Sequence, residues 1–350
     1  MEPASLTMNI EAKCGYNKII ELMKSVILVD ILAMTKVCDL PVTSYPFAEI
    51  ISSFKQLLDQ AAYLVNEGEI NPWVNILTSA DDPSVPTVER TLRIGIYPVA
   101  ANPFHWAHLL AGLTALVRFR LDKVVYLISG SDPRKPDMIS ADIRHCMGRE
   151  VLKMFTPLFG YSAIAMESNA DGETNIFKIL ALNNKQRIDA YYIVGADHYR
   201  RINPKNGSPD TIQKIEDHTA RKTCNFNNTL HRVSIIFIER GERKQTVATS
   251  LPVAFIPEMP FSASSTIIRE AFQGKCGIET LSLMPYRAYR YAVELDLYGS
   301  EYPSGTHYNK IINQQHLFAH TKELHANTAR VSCRVVYENY FIPSGELREN

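Results

Sequence analysis

From Leu92 onward, short strand-like runs alternate with helical ones, and this alternation leaves few architectures open to the chain. Strand-like runs fall at 92–98, 123–128, 161–166, 190–194, 232–238 and 252–256. Helical runs fall at about 105–120, 140–155, 174–184, 211–220, 264–273 and 285–296. Such an order predicts an α/β fold: a Rossmann-like parallel sheet with right-handed crossovers and helices on both faces. Ligands on these sheets bind beyond the carboxyl ends of the strands. The segments just before His105, Asp197 and Ser264 should lie there.

The rest of the chain reads differently. Residues 1 to about 80 have helical spacing in two runs: Ile19, Ile20, Met23, Val26, Ile27 and Ile31, then Ile50, Ile51, Phe54, Leu57, Leu58 and Ala61. Pro41 and Pro46 separate them. The stretch Asp81-Asp82-Pro83-Ser84-Val85-Pro86-Thr87 has linker chemistry. These features predict a helical extension over 1–90, a central domain over 91–299 and a C-terminal extension over 300–350. Within that last segment, 308–325 has helical spacing and 331–342 reads as a strand or hairpin.

Lys plus Arg and Asp plus Glu are 37 each, so no overall field draws the chain to nucleic acid or to an anionic membrane. The apolar run Val26 to Met34 is interrupted by Asp30 and is too short to span a bilayer. The first residues lack the basic region of a signal peptide, and six cysteines lie scattered without a CxxC pair. A reduced, cytoplasmic protein is the expectation. Cys146 and Cys276 lie near the proposed site segments, where inert thiols are the ordinary reading. A homo-oligomer is left open.

Two short segments carry the chemistry. Asn102-Pro103-Phe104-His105-Trp106-Ala107-His108 puts two imidazoles three residues apart at the start of a helix, on one face and near free backbone donors. Nearby phosphates would favour the imidazolium form. The plainer alternative is a core histidine and a metal ligand, although no cysteine or carboxylate completes a set. Ser264-Ser265-Thr266-Ile267-Ile268-Arg269 opens another helix with three hydroxyls and an arginine one turn in. Capping explains one hydroxyl. Helix-start amides and a guanidinium suit an anion.

Other positions have a plain reading beside a sharper one. Gly195 and Asp197 follow an apolar strand, where they serve either as a turn and a helix cap or as contacts to a ribose. Arg134 and Lys135 lie in a Pro-flanked loop, with Arg144 in the next helix. Solvated surface cations are the ordinary explanation, and a loop lysine beside a triphosphate is the sharper one. His316, His320 and His325 read as a solvated face, and Trp73 and Trp106 as packing residues.

Taken together, the motifs resemble the nucleotidyltransferase superfamily, and within it the nicotinamide or nicotinate mononucleotide adenylyltransferases. Asn102-Pro-x-His105-x-Ala-His108 is similar to the first signature, (D/N)-P-x-H-x-G-H, and Ser264-Ser265-Thr266-x-x-Arg269 to the second, S-S-T-x-x-R. Three more segments follow the same order. These are Arg134-Lys135 with Ala141-x-x-Arg144-x-x-Met147, then Gly195-Ala196-Asp197, then Met284-Pro285-Tyr286 through Leu297-Tyr298. The similarity spans about residues 92–299. Two departures stand out. Ala107 replaces a glycine, and the glycine usually four residues before the Asn is absent there, Gly95 lying seven before it.

The resemblance implies adenylyl transfer from ATP to a pyridine mononucleotide (NMN or NaMN), giving NAD or its deamido form plus pyrophosphate. It implies His105, His108 and Arg269 as catalytic residues. It also implies Asn102, Lys135, Gly195, Asp197, Ser264, Ser265 and Thr266 as ATP contacts, and Thr174 and Asn175 as mononucleotide contacts. Mg2+ would arrive with ATP, with no metal site of the protein's own. Two alternatives compete: an enzyme of the superfamily with a different phosphate acceptor, and a nucleotide-binding or regulatory protein with little or no catalysis.

Overall fold

The computed structural model describes residues 3–78, 87–130, 138–166, 171–196, 198, 210–239, 249–261 and 263–299, with side chains from residue 15. Arg134, Lys135, Asp197, the three histidines beyond residue 315, most of the 81–87 stretch and the whole C-terminal extension lie outside the described residues.

Six parallel strands form one sheet in the order β3-β2-β1-β4-β5-β6. They are β1 Leu92–Val99, β2 Lys123–Ile128, β3 Phe159–Ser162, β4 Ile188–Gly195, β5 His231–Ile238 and β6 Val253–Ile256. The helices are α1 Pro3–Cys38, α2 Phe47–Asn66, α3 Trp106–Arg118, α4 Ala141–Leu152, α5 Gly172–Leu182, α6 Asp210–Ala220, α7 Ser265–Phe272 and α8 Tyr286–Glu294. The expected α/β alternation is what the structure contains.

Side chains alternate along β1. Leu92, Ile94 and Ile96 enter a core with α5 and α6. Tyr97 and Val99 enter the opposite core with α3, α4, α7 and α8. The period of two thus supplies two cores to one sheet. Gly95 faces the second core, where a Cβ would come within 3.0 Å of Leu121, Ile193 and Val124. It is a close-packing glycine in mid-strand, paired with Val124 and Tyr191.

One strand departs from the sequence pattern. The 161–166 run is strand only to Ser162, where the pairing Leu127↔Ser162 ends. The Ser162 hydroxyl accepts the amide of Ile164 at 3.3 Å and donates to the Thr78 carbonyl at 3.0 Å, which turns the chain out of the ladder. Ile164 and Ala165 are apolar because they pack under α5, not because they are strand.

The N-terminal helices are not a detached module. Tyr16, Ile20, Met23, Ile27, Ile31 and Met34 of α1 share the core of α3, α4 and α8. Phe54 of α2 meets Trp106 edge-on at 5.6 Å, so Trp106 is a packing residue. Asp30, the charge that interrupts the apolar run of α1, has a specific use. The first turn of α8 lacks a local side-chain cap. Asp30 supplies one from 256 residues away, accepting the Tyr286 amide at 2.6 Å and the Arg287 amide at 3.2 Å, with the Arg287 guanidinium at 3.5 Å.

Burial pushes the Asp30 carboxyl up to about 6, against the pull of those two amides and of Arg287. The folded state therefore holds this proton more tightly than the unfolded chain. The resulting stability is full below pH 4 and is lost as pH rises through about 6. Urea melts from pH 4 to 7 should show wild type losing stability relative to Asp30→Asn over that window. A difference independent of pH would contradict the assignment.

Candidate active site

Because β1 pairs with β2 on one side and β4 on the other, the chain leaves β1 and β4 toward opposite faces of the sheet. The crevice beyond Val99 and Gly195 is the topological switch point, where ligands of such sheets bind. Both signature segments open at this end.

The loop between β1 and α3 is held by side chains from distant parts of the chain. Arg269 donates from Nη1 to the Asn102 carbonyl at 2.7 Å, and the Ser265 hydroxyl donates to the Pro103 carbonyl at 2.9 Å. Asn102 Oδ1 accepts from the Ile139 amide at 3.4 Å and from the Tyr298 hydroxyl at 3.3 Å. Within this loop Ala101 is fully buried at φ 53°, an uncommon conformation for a residue with a Cβ. The second signature is thus bonded directly to the first.

His105 is the residue before α3, with extended backbone, and its carbonyl accepts the His108 amide at 3.0 Å. The His105 amide in turn donates to His108 Nδ1 at 3.4 Å. An Nδ1 that accepts leaves the ring proton on Nε2, so His108 presents a donor at its outer edge. The two rings stack at 3.6 Å and 19°, on the same face as their spacing predicts. They differ in exposure: His105 is buried at 2%, while His108 is partly open. Phe104 and Tyr97 flank the His108 ring edge-on, and the Tyr126 hydroxyl holds the His108 carbonyl at 3.0 Å.

The three consecutive hydroxyls divide the work. Ser264 caps α7, its Oγ accepting the Ile267 amide at 3.3 Å. Ser265 docks the helix on Pro103. Thr266 is exposed, and its Oγ1 accepts from Arg269 Nη2 at 3.4 Å. A run that exceeded the needs of a cap is therefore accounted for by a cap, a docking bond and a partner for Arg269.

Across the crevice α5 begins over Pro98. Gly172 allows this approach, since a Cβ there would lie 2.7 Å from the Tyr192 hydroxyl and 3.2 Å from the Pro98 ring. Asp171 caps the helix, accepting the Thr174 amide at 2.9 Å and the Thr174 hydroxyl at 2.6 Å. Thr174 Oγ1 also lies 3.3 Å from His218 Nε2. Asn175 is buried at 1%. Glu173, buried behind them, accepts from the Thr211 hydroxyl at 3.3 Å.

The geometry bears on three positions. The Asn102 side chain is buried, and its amide oxygen supports the loop. Arg144 was read as a solvated cation, yet it is fully buried. The position four before Asn102 holds Pro98, which has no amide hydrogen to offer a phosphate. Gly172 and Tyr298 were not singled out for the parts they play. A glycine at the start of a helix carries no mark of the tyrosine that crowds it, and Tyr298 acts across nearly 200 residues of chain. Among the described residues no cluster of three His, Cys, Asp or Glu could hold a metal ion, and no helix is long and apolar enough to cross a membrane.

A parallel sheet of this order, with two such segments joined at its switch point, defines a nucleotidyltransferase. The cytidylyltransferase-like family model matches residues 96–271, half of the chain, and the protein belongs to that family. A relative in Thermoanaerobacter sp. (strain X514), "Probable nicotinate-nucleotide adenylyltransferase", is 26% identical over 225 residues, covering 62% of this chain and 100% of its own. The nicotinate-nucleotide adenylyltransferase of Bacillus subtilis (strain 168) is 27% identical over 214 residues, covering 59% and 99%. Among solved structures, the Plasmodium falciparum nicotinic acid mononucleotide adenylyltransferase complexed with NaAD aligns at TM-score 0.43 and 15% identity, over 59% of this chain and 97% of that one.

The double role of the Asn102 amide oxygen is testable. Asn102→Ala takes the acceptor from the Ile139 amide and the Tyr298 hydroxyl, and should cost about 1–3 kcal/mol. Tyr298→Phe removes one donor and leaves Ile139 bonded, so its loss should be smaller. Thermal melts of both variants measure the order.

Proposed function

We propose that the protein transfers an adenylyl group from MgATP to the phosphate of a pyridine mononucleotide, with nicotinate mononucleotide as the first candidate acceptor. The docking of the second signature on the first, through Arg269 and Ser265 on the carbonyls of Asn102 and Pro103, carries this reading. It sets a guanidinium and the His108 ring around one stretch of loop. The names of relatives matched along nearly their whole length support the choice of acceptor.

In this reading a phosphate oxygen of the mononucleotide attacks the α-phosphorus of ATP while the bond to the bridging oxygen of pyrophosphate breaks. No covalent enzyme intermediate is required. The protein's task is to hold two anions in line and to offset charge as it develops on the leaving group. His108 donates from Nε2 to the triphosphate, and His105, stacked beneath it, fixes the ring. Arg269 and the start of α7 at Ser264, Ser265 and Thr266 hold the β- and γ-phosphates, with Lys135 helping there. Gly195 and Asp197 meet the adenosine ribose, and Thr174 and Asn175 lie on the mononucleotide side. Magnesium enters with ATP as part of the substrate.

One observation favours a second reading, a nucleotide-binding protein with weak catalysis: Pro98 stands at the end of β1 where an amide donor would help the α-phosphate. Incubating the protein with MgATP and, in turn, NaMN, NMN, FMN and phosphopantetheine separates the cases. Dinucleotide and pyrophosphate formed with a pyridine mononucleotide support the proposal. ATP binding with no pyrophosphate from any acceptor supports the second reading.

His108→Ala and Arg269→Ala should each lower turnover by about tenfold or more, on the scale of a lost charge-stabilising donor. Arg269→Ala should also lower the melting temperature, because it releases the Asn102 carbonyl. Near-normal turnover in both variants would remove these roles.

A further inference from the structure

Arg144 is a fully buried arginine, and among the described residues no carboxylate is hydrogen-bonded to it. Its guanidinium is instead surrounded by carbonyls. Nε donates to Ile139 O at 2.9 Å, Nη1 to Ala100 O at 2.7 Å and to Ser129 O at 2.8 Å, and Nη2 to Gly130 O at 2.7 Å. Nη1 is also 3.2 Å from Ser129 Oγ. Burial pushes its pKa down to about 10, so the group stays charged at neutral pH.

Among the described residues the direct hydrogen bonds of this buried charge all go to neutral oxygens, and Asp142 adds only a Coulombic pull without a direct bond. Such a charge is a poor choice for stability alone, since an apolar side chain of similar volume would avoid the desolvation cost. What the planar fork supplies is simultaneous contact with three separate backbones. Ala100 is the first residue beyond β1, in the loop that carries Asn102 and His105. Ser129 and Gly130 are the first two beyond β2. Ile139 leads into α4. Without a ladder or a helix to hold them, these carbonyls have the guanidinium as their common partner. Each end is also gripped from elsewhere: the Ser129 amide donates to Val99 O at 3.0 Å, and the Ile139 amide to Asn102 Oδ1 at 3.4 Å.

We infer that Arg144 is a positioning residue for nucleotidyl transfer: its guanidinium fixes the β1–α3 loop against the end of β2, and thereby sets where the His105–His108 pair stands relative to Arg269. With at least four of its five N–H groups committed to the protein, it does not touch phosphate. Lysine cannot replace it, because an ammonium has three donors around one point and cannot span the four carbonyls. The inference rests on the adenylyl-transfer reading for the reaction it assists, while the geometry it explains does not.

The test begins with wild type, MgATP and NaMN or NMN, which judges that reading. It then compares Arg144→Lys for kcat, KM and amide hydrogen exchange at residues 100–105. Expected are a kcat lowered at least tenfold, a KM for the mononucleotide within about threefold, and faster exchange at 100–105 in a protein that remains folded. A folded Arg144→Lys with wild-type kcat, or one changed only in KM, overturns the inference. If wild type transfers no adenylyl group, the exchange and the affinity for MgATP still decide it, and values unchanged from wild type overturn it. Should Arg144→Lys not fold, Arg144→Ala is assayed with millimolar ethylguanidinium. Turnover restored with the fold supports the inference, and a fold restored without turnover overturns it. If neither variant folds, exchange in wild type decides: protection of 100–105 comparable to β1 supports the grip, and exchange as fast as an exposed loop overturns it.

Discussion

The contact on which the site depends is the hydrogen bond from Arg269 to the carbonyl of Asn102. A loop between a parallel strand and its helix has no ladder to satisfy its backbone, so its carbonyls must find partners elsewhere. Here α7 provides two, Arg269 and Ser265, and brings with it the open Thr266 and the amides of a helix start. Together with the buried Ile268, these bonds fix where α7 sits. The same bonds that complete the loop therefore assemble the crevice.

That arrangement explains why the first helices matter to a site they do not touch. Trp106 begins α3 immediately after His105, and its indole is buried against Phe54 of α2. Asp30 of α1 caps α8, and the chain leaving α8 returns Tyr298 to the Asn102 side chain. The N-terminal helices thus brace both the start of α3 and the segment that carries Tyr298. They form an outer layer on one face of the sheet, continuous with its core.

Legibility differed between levels. Most strands and helices from Leu92 to Glu294 were readable because they bury a regular apolar stripe, and a stripe is a local property. Helix α7, which buries Ile268 alone, was marked by its hydroxyl run. The 161–166 run misled because Ile164 and Ala165 are buried by a turn beneath α5, and burial leaves the same composition whether the backbone is strand or not. The stacked histidines could be placed on one face from their spacing alone. That His105 is closed and His108 open could not, since exposure depends on Phe104, Tyr97 and Tyr126 closing around the rings.

By itself the sequence determined the doubly wound sheet, the end of it where ligands of such sheets bind, and the two segments with imidazoles, hydroxyls and a guanidinium. Periodicity and residue type are written position by position, so these needed no folded chain. Only the tertiary structure decided that Arg144 is a buried clamp, that Asn102 serves its own loop, that Gly172 yields to Tyr192, and that Asp30 caps a helix 256 residues away. Each of these depends on which donor meets which acceptor across the chain. A hydrogen bond extends about 3 Å in space and has no length in sequence.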